Sequence, residues 1–224
     1  MNLQHLVRTA FPLFVLGVLF AGCVTYSPYV NLPSSPIDRG EGEAGASVSG
    51  LVRTGAETEV ETGLEAFGRY GFSNTFSLGL RTWTDNMDFG DGRVLSGFSF
   101  DGLFNLSDRE QSVRYGLSTR LLFLFEDRTL EAEGLLLNGV AWLPDLWLLK
   151  PFAAVGGGIG YDLDPDPEDR EFVFIATAHA GAAIELFEGI EARTELAYVS
   201  EFNRPGEYDV TWWLVPTFTV AWRF

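Results

Sequence analysis

The run Phe218-Thr219-Val220-Ala221-Trp222-Arg223-Phe224 limits this chain more than any other segment. Phe218, Val220, Trp222 and Phe224 alternate with Thr219, Ala221 and Arg223. A period of two puts four large apolar side chains on one face of a strand and smaller or polar ones on the other. Water makes a poor neighbour for such a face. Lipid makes a good one, because aromatic side chains settle at the membrane interface of a barrel strand.

The front of the sequence points the same way. Residues 1–8 are short and carry one firm positive charge, Arg8, and residues 9–20 are an apolar run. That run is too short to span a bilayer and has the form of an export-signal core. Phe20-Ala21-Gly22-Cys23 follows. It resembles the lipobox at which bacterial lipoproteins are cleaved and acylated, with Phe20 where Leu is usual. Cys23 is the only cysteine, so no internal disulfide can form and a lipid site is the simplest expectation for it. Val24, rather than Asp, follows it, which favours the outer over the inner membrane. The expected organisation is a lipoprotein signal peptide at 1–22, a lipidated Cys and flexible tether at 23–43, and a barrel at 44–224. Pro28, Pro33 and Pro36 and scattered Ser and Gly suggest the tether; Tyr26, Tyr29 and Val30 offer apolar groups that could pack on or in the barrel.

The formal charge is −16, which argues against nucleic acid or an anionic lipid surface as a partner. No second apolar run is long and charge-free enough for a transmembrane helix, so strands closed into a barrel must do the crossing. Alternation marks ten strands, at 44–54, 58–72, 75–84, 93–106, 112–125, 130–143, 150–161, 171–186, 189–198 and 208–224. The fold class expected is all-β: a closed antiparallel up-and-down transmembrane β-barrel of ten strands, with eight as the alternative. Leu135-Leu136-Leu137 breaks the alternation of the sixth strand and leaves its register open. Pro216 removes a ladder hydrogen bond, so a local bulge is expected there. The links 85–92, 162–171 and 200–207 are long and polar, while 73–74 and 187–189 are tight. Long outer loops above short periplasmic turns are the asymmetry expected of these barrels.

Residues 44–224 resemble the small bacterial outer-membrane β-barrel superfamily, the group of OmpA-type and OmpW-type barrels. Phe218-x-Val220-x-Trp222-x-Phe224 is similar to their C-terminal assembly signal. Lys150-Pro151-Phe152-Ala153-Ala154-Val155-Gly156-Gly157-Gly158 is similar to a Pro-aromatic, Gly-rich strand found late in many members. The resemblance implies a bacterial outer-membrane location. It also implies membrane lipid and the barrel-assembly machinery as partners, and a monomer.

Catalysis has little to stand on. His5 would leave with the signal peptide, and His179 is then the sole histidine. The lipid A deacylase barrels carry His-x-Ser-Asn on a strand. Here the run is His179-Ala180-Gly181-Ala182, without that nucleophile, although Glu185 or Glu195 could orient the imidazole. No catalytic residue and no cofactor is assigned. The run from Asp162 to Asp169 offers alternating carboxylates, but Pro167 stands where a calcium-binding EF-hand loop needs Gly; a solvated loop is expected and no metal.

The inward faces carry a richer pattern: Glu61, Glu65 and Arg69 beside Arg81; Asp101 beside Arg114 and Arg120; and Glu185 near Glu191, Arg193 and Glu195. Arg53 and Arg223 lie on the strands that meet at closure. Side chains fill the interior of a small barrel, and charges withdrawn from water must be paired. The expectation is a salt-bridged lumen and a structural or surface role. Gly156, Gly158 and Gly160 leave one wall bare, with Arg114 and Arg120 long enough to fill the gap. The alternatives are a narrow, porin-like passive channel or ligand-binding barrel, and a lipid-modifying enzyme.

Overall fold

The computed structural model describes residues 31–53, 59–84, 97–108, 110–126, 129–162, 172–203 and 210–224. Ten strands follow one another: β1 Gly42–Arg53, β2 Glu59–Ser73, β3 Phe76–Thr84, β4 Gly97–Asn105, β5 Arg114–Glu126, β6 Thr129–Trp142, β7 Leu149–Asp162, β8 Phe172–Phe187, β9 Ile190–Asn203 and β10 Val210–Arg223. Each pairs antiparallel with its neighbour, and β1 pairs with β10, so the sheet closes without an edge. Closure satisfies the backbone of every strand on both sides, which a sheet surrounded by apolar medium requires.

The start of β1 and the end of β10 lie at one rim, where Gly42 and Phe224 exchange backbone hydrogen bonds of 2.8 and 3.0 Å. The β2–β3, β4–β5, β6–β7 and β8–β9 turns share that rim. The opposite, distal end carries the remaining links; of the loops expected there, 85–92 and all of 162–171 except Asp162, which ends β7, lie outside the described residues. So do residues 1–30, with the signal segment and Cys23. β9 continues through Ser200 to Asn203, so the first four residues of the third expected loop are strand and the rest lie outside the described residues.

Alternation governs the wall. Leu78, Leu80, Phe100, Phe104, Tyr115, Leu121, Leu196, Tyr198, Val220 and Trp222 stand outward and exposed. Phe98, Phe100 and Phe123 pack against one another across the β4–β5 pair, with Phe98 and Phe123 centroids 4.9 Å apart. From Ala132 on, past a register shift against β5 between Leu124 and Phe125, the sixth strand keeps the same alternation. Leu136 is 0% exposed and Leu137 is 44% exposed, so the three leucines divide between lumen and exterior rather than breaking register.

Two expectations are corrected. Pro216 causes no bulge. It pairs with Leu196 in unbroken register, and its ladder to β1 skips Gly50 and Leu51, then resumes in step. Gly50 makes room for this, since a Cβ there would stand 3.0 Å from the Pro216 ring. The glycine face of β7 is bare at Gly160, where a Cβ would meet nothing nearer than 3.8 Å, but not at Gly156 or Gly158. A Cβ on Gly158 would run into the Leu135 carbonyl and stand 2.7 Å from the Leu136 side chain, and one on Gly156 would run into Asn138. The glycines let β6 and its inward side chains come close.

Candidate functional site

The lumen gathers the polar side chains. One row of paired residues shows its layout: Glu43 pairs with Arg69, Arg69 with Gly79, Gly79 with Asp101, Asp101 with Arg120 and Arg120 with Leu136. Strands in a barrel tilt, so such a row climbs the wall. It starts among charges at the rim and ends among apolar side chains toward the distal end.

Two clusters hold the charges. At the rim, Glu43 accepts from Arg69 Nη1 at 2.8 Å, Arg193 Nη2 at 2.9 Å and Arg223 Nε at 3.2 Å. Arg193 also reaches Glu191, at 3.0 Å. Higher in the lumen, Asp101 accepts from Arg81 Nε at 2.7 Å and Arg120 Nε at 2.9 Å, and Arg81 Nη1 donates to Glu65 at 2.9 Å. Arg69 Nη2 lies 3.7 Å from Asp101 and joins the clusters. Five carboxylates, Glu43, Glu65, Asp101, Glu191 and Glu195, are buried with Arg69, Arg81, Arg120 and Arg193, and Arg223 lies half-buried beside them. Such pairing offsets the loss of hydration that unpaired buried charges would suffer.

The clusters hold a guest from the same chain. Residues 31–38 lie inside the barrel, and Asn31, Leu32, Ser34 and Ile37 are buried there. Glu195 Oε2 accepts the backbone N–H groups of Asn31 and Leu32, both at 3.0 Å. The Asn31 carbonyl accepts from Arg69 at 2.6 Å and Arg81 at 3.0 Å; the Leu32 carbonyl accepts from Arg193 at 2.9 Å. The Asn31 amide donates to Glu65 at 2.6 Å and Ser47 at 3.2 Å. Asn31 has a φ of 69°, a left-handed conformation that Asn tolerates. Ser34 donates to Glu191, and Arg223 to Ser35. On the other wall Leu32 packs in a cluster with Leu103, Val140, Trp142 and Phe152, and Trp142 Nε1 donates to the Pro33 carbonyl at 2.8 Å. The chain then leaves under the rim, where Gly71 N–H donates to Glu41. Part of the segment expected as a flexible tether, from Asn31 on, is thus fitted into the lumen.

Toward the distal end the filling changes. Trp83, Leu122, Leu136, Ile175, Ala197, Val199 and Val215 form a buried cluster, with Leu124, Val173 and Trp213 packed against it.

The other expected site residues fall as follows. Glu61 is on β2, with its side chain outside the described residues. Arg114 points inward near the rim, and its Nε and Nη2 meet no hydrogen-bond partner among the described residues. Glu185 is corrected: it is not in the lumen but 53% exposed at the rim, beside a register shift that ends the β8–β9 ladder, where Lys150 reaches it at 3.2 Å. Phe218 is half-buried, while Val220, Trp222 and Phe224 stand exposed on the outer face. Glu43 and Asn31 are the residues missed. The signal for Glu43 is present in Glu43-Gly45-Ser47-Ser49, an inward polar face that starts before the expected strand. Asn31 has no periodic signal.

His179 Nδ1 lies 2.8 Å from Glu195 Oε1, an arrangement that fixes the ring. Its Nε2 meets no partner among the described residues, and its side chain is 0% exposed. The buried imidazole thus orients Glu195, the carboxylate that accepts the backbone N–H groups of Asn31 and Leu32.

Neither a family model nor a curated protein matches the sequence. Among solved structures the chain is similar to the N-terminal β-barrel domain of Pseudomonas aeruginosa OprF, with 12% identity, a TM-score of 0.35, and coverage of 83% of this chain and 98% of that one. It is also similar to Ail, the attachment invasion locus protein of Yersinia pestis, with 11% identity, a TM-score of 0.34, and coverage of 83% and 99%. At these scores the likenesses carry no argument about what this chain does. The ten-strand closure rests on its own ladders.

Proposed function

We propose that this chain is a bacterial outer-membrane β-barrel lipoprotein with a structural or surface role and a lumen closed to solutes. The observation that carries the closed lumen is the clasp on Asn31 and Leu32. Their backbone groups are bound by Glu195, Arg69, Arg81 and Arg193, below a distal plug of apolar side chains. A solute would have to displace both fillings.

The exposed apolar outer face supports the membrane location, because only lipid makes such a surface inexpensive. Cys23 is the proposed acylation site, after removal of residues 1–22. Seven residues separate it from Asn31, a link of about 26 Å at most. A lipid at Cys23 and a clasp at Asn31 together hold the N-terminus at the barrel. The alternating face that ends in Phe224 is the proposed signal to the assembly machinery. The buried state of His179 speaks against a lipid-modifying activity.

Planar-bilayer recording of the purified full chain tests the closed lumen. No steady conductance is expected; a stable ion current through the unmodified protein overturns it in favour of the channel reading. Intact mass tests the anchor, since a mature N-terminus elsewhere with an unmodified Cys23 removes it. Phe224→Ala is expected to lower insertion in cells, and normal insertion removes the assembly signal.

A further inference from the structure

The lumen contains two parties of different chemistry. The wall pairs its own charges: Glu43 with Arg69, Arg193 and Arg223; Glu65 with Arg81; Asp101 with Arg81 and Arg120; and Glu191 with Arg193. Glu195 meets His179 Nδ1. All of these residues belong to the ten strands, which close on one another through β1 and β10. The guest is Asn31-Leu32-Pro33-Ser34-Ser35-Pro36-Ile37, and it carries no charged side chain. Taking it away would leave each of these carboxylates with a partner on the wall, so the penalty of an unpaired buried charge does not arise. Wall and guest meet as a binding site and its ligand meet.

The site reads the guest in two ways. Its backbone is held by Glu195 at the Asn31 and Leu32 N–H groups, by Arg69 and Arg81 at the Asn31 carbonyl, and by Arg193 at the Leu32 carbonyl. Main-chain bonds of this kind give affinity to a bound peptide, and pockets for side chains give specificity. Three features select here. The Asn31 amide donates to Glu65 and Ser47, at a φ of 69° that Asn and Gly adopt more readily than bulky residues. Leu32 fills an apolar pocket of Leu103, Val140, Trp142, Phe152 and Ala154. Pro33 has no N–H to satisfy, and its carbonyl accepts from Trp142. On its C-terminal side the guest joins β1 through a short joint at the rim, Asp38 to Glu41. Gly40 turns the chain there at a φ of 84°, and both Arg39 and Gly40 are exposed.

We propose that the lumen is a peptide-binding site, selective for an uncharged segment of the Asn-Leu-Pro-Ser type. Residues 31–37 are its resident ligand, exchangeable for the same sequence supplied in trans. The inference deepens the closed-lumen reading and rests on it, because the occupant is part of what closes the barrel. The joint favours the resident, since a short tether holds a ligand at a local concentration of about millimolar. Cutting the joint removes that advantage.

The test uses the chain from residue 23 on with Cys23→Ser, folded in detergent, so that no lipid holds the released fragment in the micelle. A specific protease site is inserted between Arg39 and Gly40 and cut after folding. The probe is an N-acetylated peptide of residues 31–38 with a fluorophore at its C-terminal, rim-side end. Its anisotropy is expected to rise saturably with the cut chain, as the original fragment leaves, and to change little with the uncut chain at the same concentration. Peptides with Leu32→Ala or Asn31→Gly are expected to bind about tenfold more weakly or worse, through the emptied pocket and the lost amide bonds. Retention of the original fragment against millimolar peptide overturns exchange and makes the segment a fixed piece of the core. Release without peptide binding, or equal binding of the Leu32→Ala peptide, overturns the selective site. Loss of the barrel fold when the fragment leaves overturns the independence of wall and guest. Peptide exchange is read by anisotropy and lumen closure by conductance, so the two readings fail separately.

Discussion

Near the rim the lumen is filled by Asn31, Leu32 and Ser34, held among Glu43, Arg69, Arg81, Arg193 and Glu195. Toward the distal end it is filled by Trp83, Leu122, Leu136, Ile175 and Val215, which come from the wall itself. The first filling is directional. The backbone N–H and carbonyl groups of Asn31 and Leu32 and the Asn31 amide all meet charged or polar partners, and misplacing one leaves a buried charge unsatisfied. The second is not directional and depends on volume and shape. The barrel thus fixes the position of its N-terminal segment with one half of the lumen and gains much of its tolerance of substitution from the other. If the halves are separate in this way, their variants will differ in size, in response to conservative replacement and in additivity.

Arg81→Ala is expected to cost most. It leaves Asp101 and Glu65 with reduced pairing in the interior, a loss of about 3–5 kcal/mol. Urea unfolding in vesicles measures it. Replacing Arg81 and Asp101 together by apolar residues is expected to recover much of that loss, because the unpaired charge rather than the missing bridge is the main penalty. A cost below about 1 kcal/mol for Arg81→Ala would mean that water reaches the cluster freely, and the description of the rim half would fail.

Leu136→Ala tests the distal half. Removing a fully buried leucine is expected to cost about 2–5 kcal/mol through lost contacts and a residual cavity. Leu136→Met, of similar volume, is expected to cost less than about 1.5 kcal/mol. A conservative change in the other half, Arg81→Lys, has no such tolerance, since Lys cannot reproduce the fork that meets Asp101 and Glu65 together. Similar tolerance of Leu136→Met and Arg81→Lys in the same unfolding assay would erase the contrast.

Asn31→Ala comes next, at about 1–3 kcal/mol, because the Glu65 and Ser47 partners of the amide lose a buried hydrogen bond. Combined with Leu136→Ala, its effect is expected to add within about 0.5 kcal/mol, as for sites without shared partners. Strong non-additivity would show that the plug and the apolar half form one unit.

The barrel wall was legible in the sequence because a half-buried strand writes its faces into a period of two. Glu65 and Arg69 opposite Leu64 and Tyr70, or Glu191 and Arg193 opposite Ile190, separate lumen from exterior without any structure. What stayed illegible has no period. Residues 31–38 read as a loose Pro- and Ser-containing link, since an irregular segment bound through its backbone carries its recognition in the partners and not in itself. Leu136 was ambiguous because a fully apolar triplet hides which member faces in; only the pairing of β6 with the glycine face of β7 decides it. The pairs themselves were partly legible: Arg81 with Glu65, and Arg120 with Asp101, follow from adjacent strands. Glu43 with Arg193 spans β1 and β9 and could not be read from neighbouring strands. Glu185 was misplaced because parity says which way a residue points but not where its strand meets solvent.

Glu185 therefore supplies the smallest effect and the most direct control on the comparison. Glu185→Ala removes the same kind of ion pair as a lumen substitution would, but at the rim, where the carboxylate is 53% exposed. Water and salt screen that pair, and holding two long side chains together has an entropic cost, so less than about 1 kcal/mol is expected, falling further at high salt. Lys150 keeps Glu191 within 3.5 Å as a second partner, which reduces the loss again. The measurement is the same urea titration at low and high salt. If Glu185→Ala costs as much as Arg81→Ala and is equally insensitive to salt, then burial is not what separates the two ion pairs. The clasp on Asn31 would then need another explanation than charge held away from water.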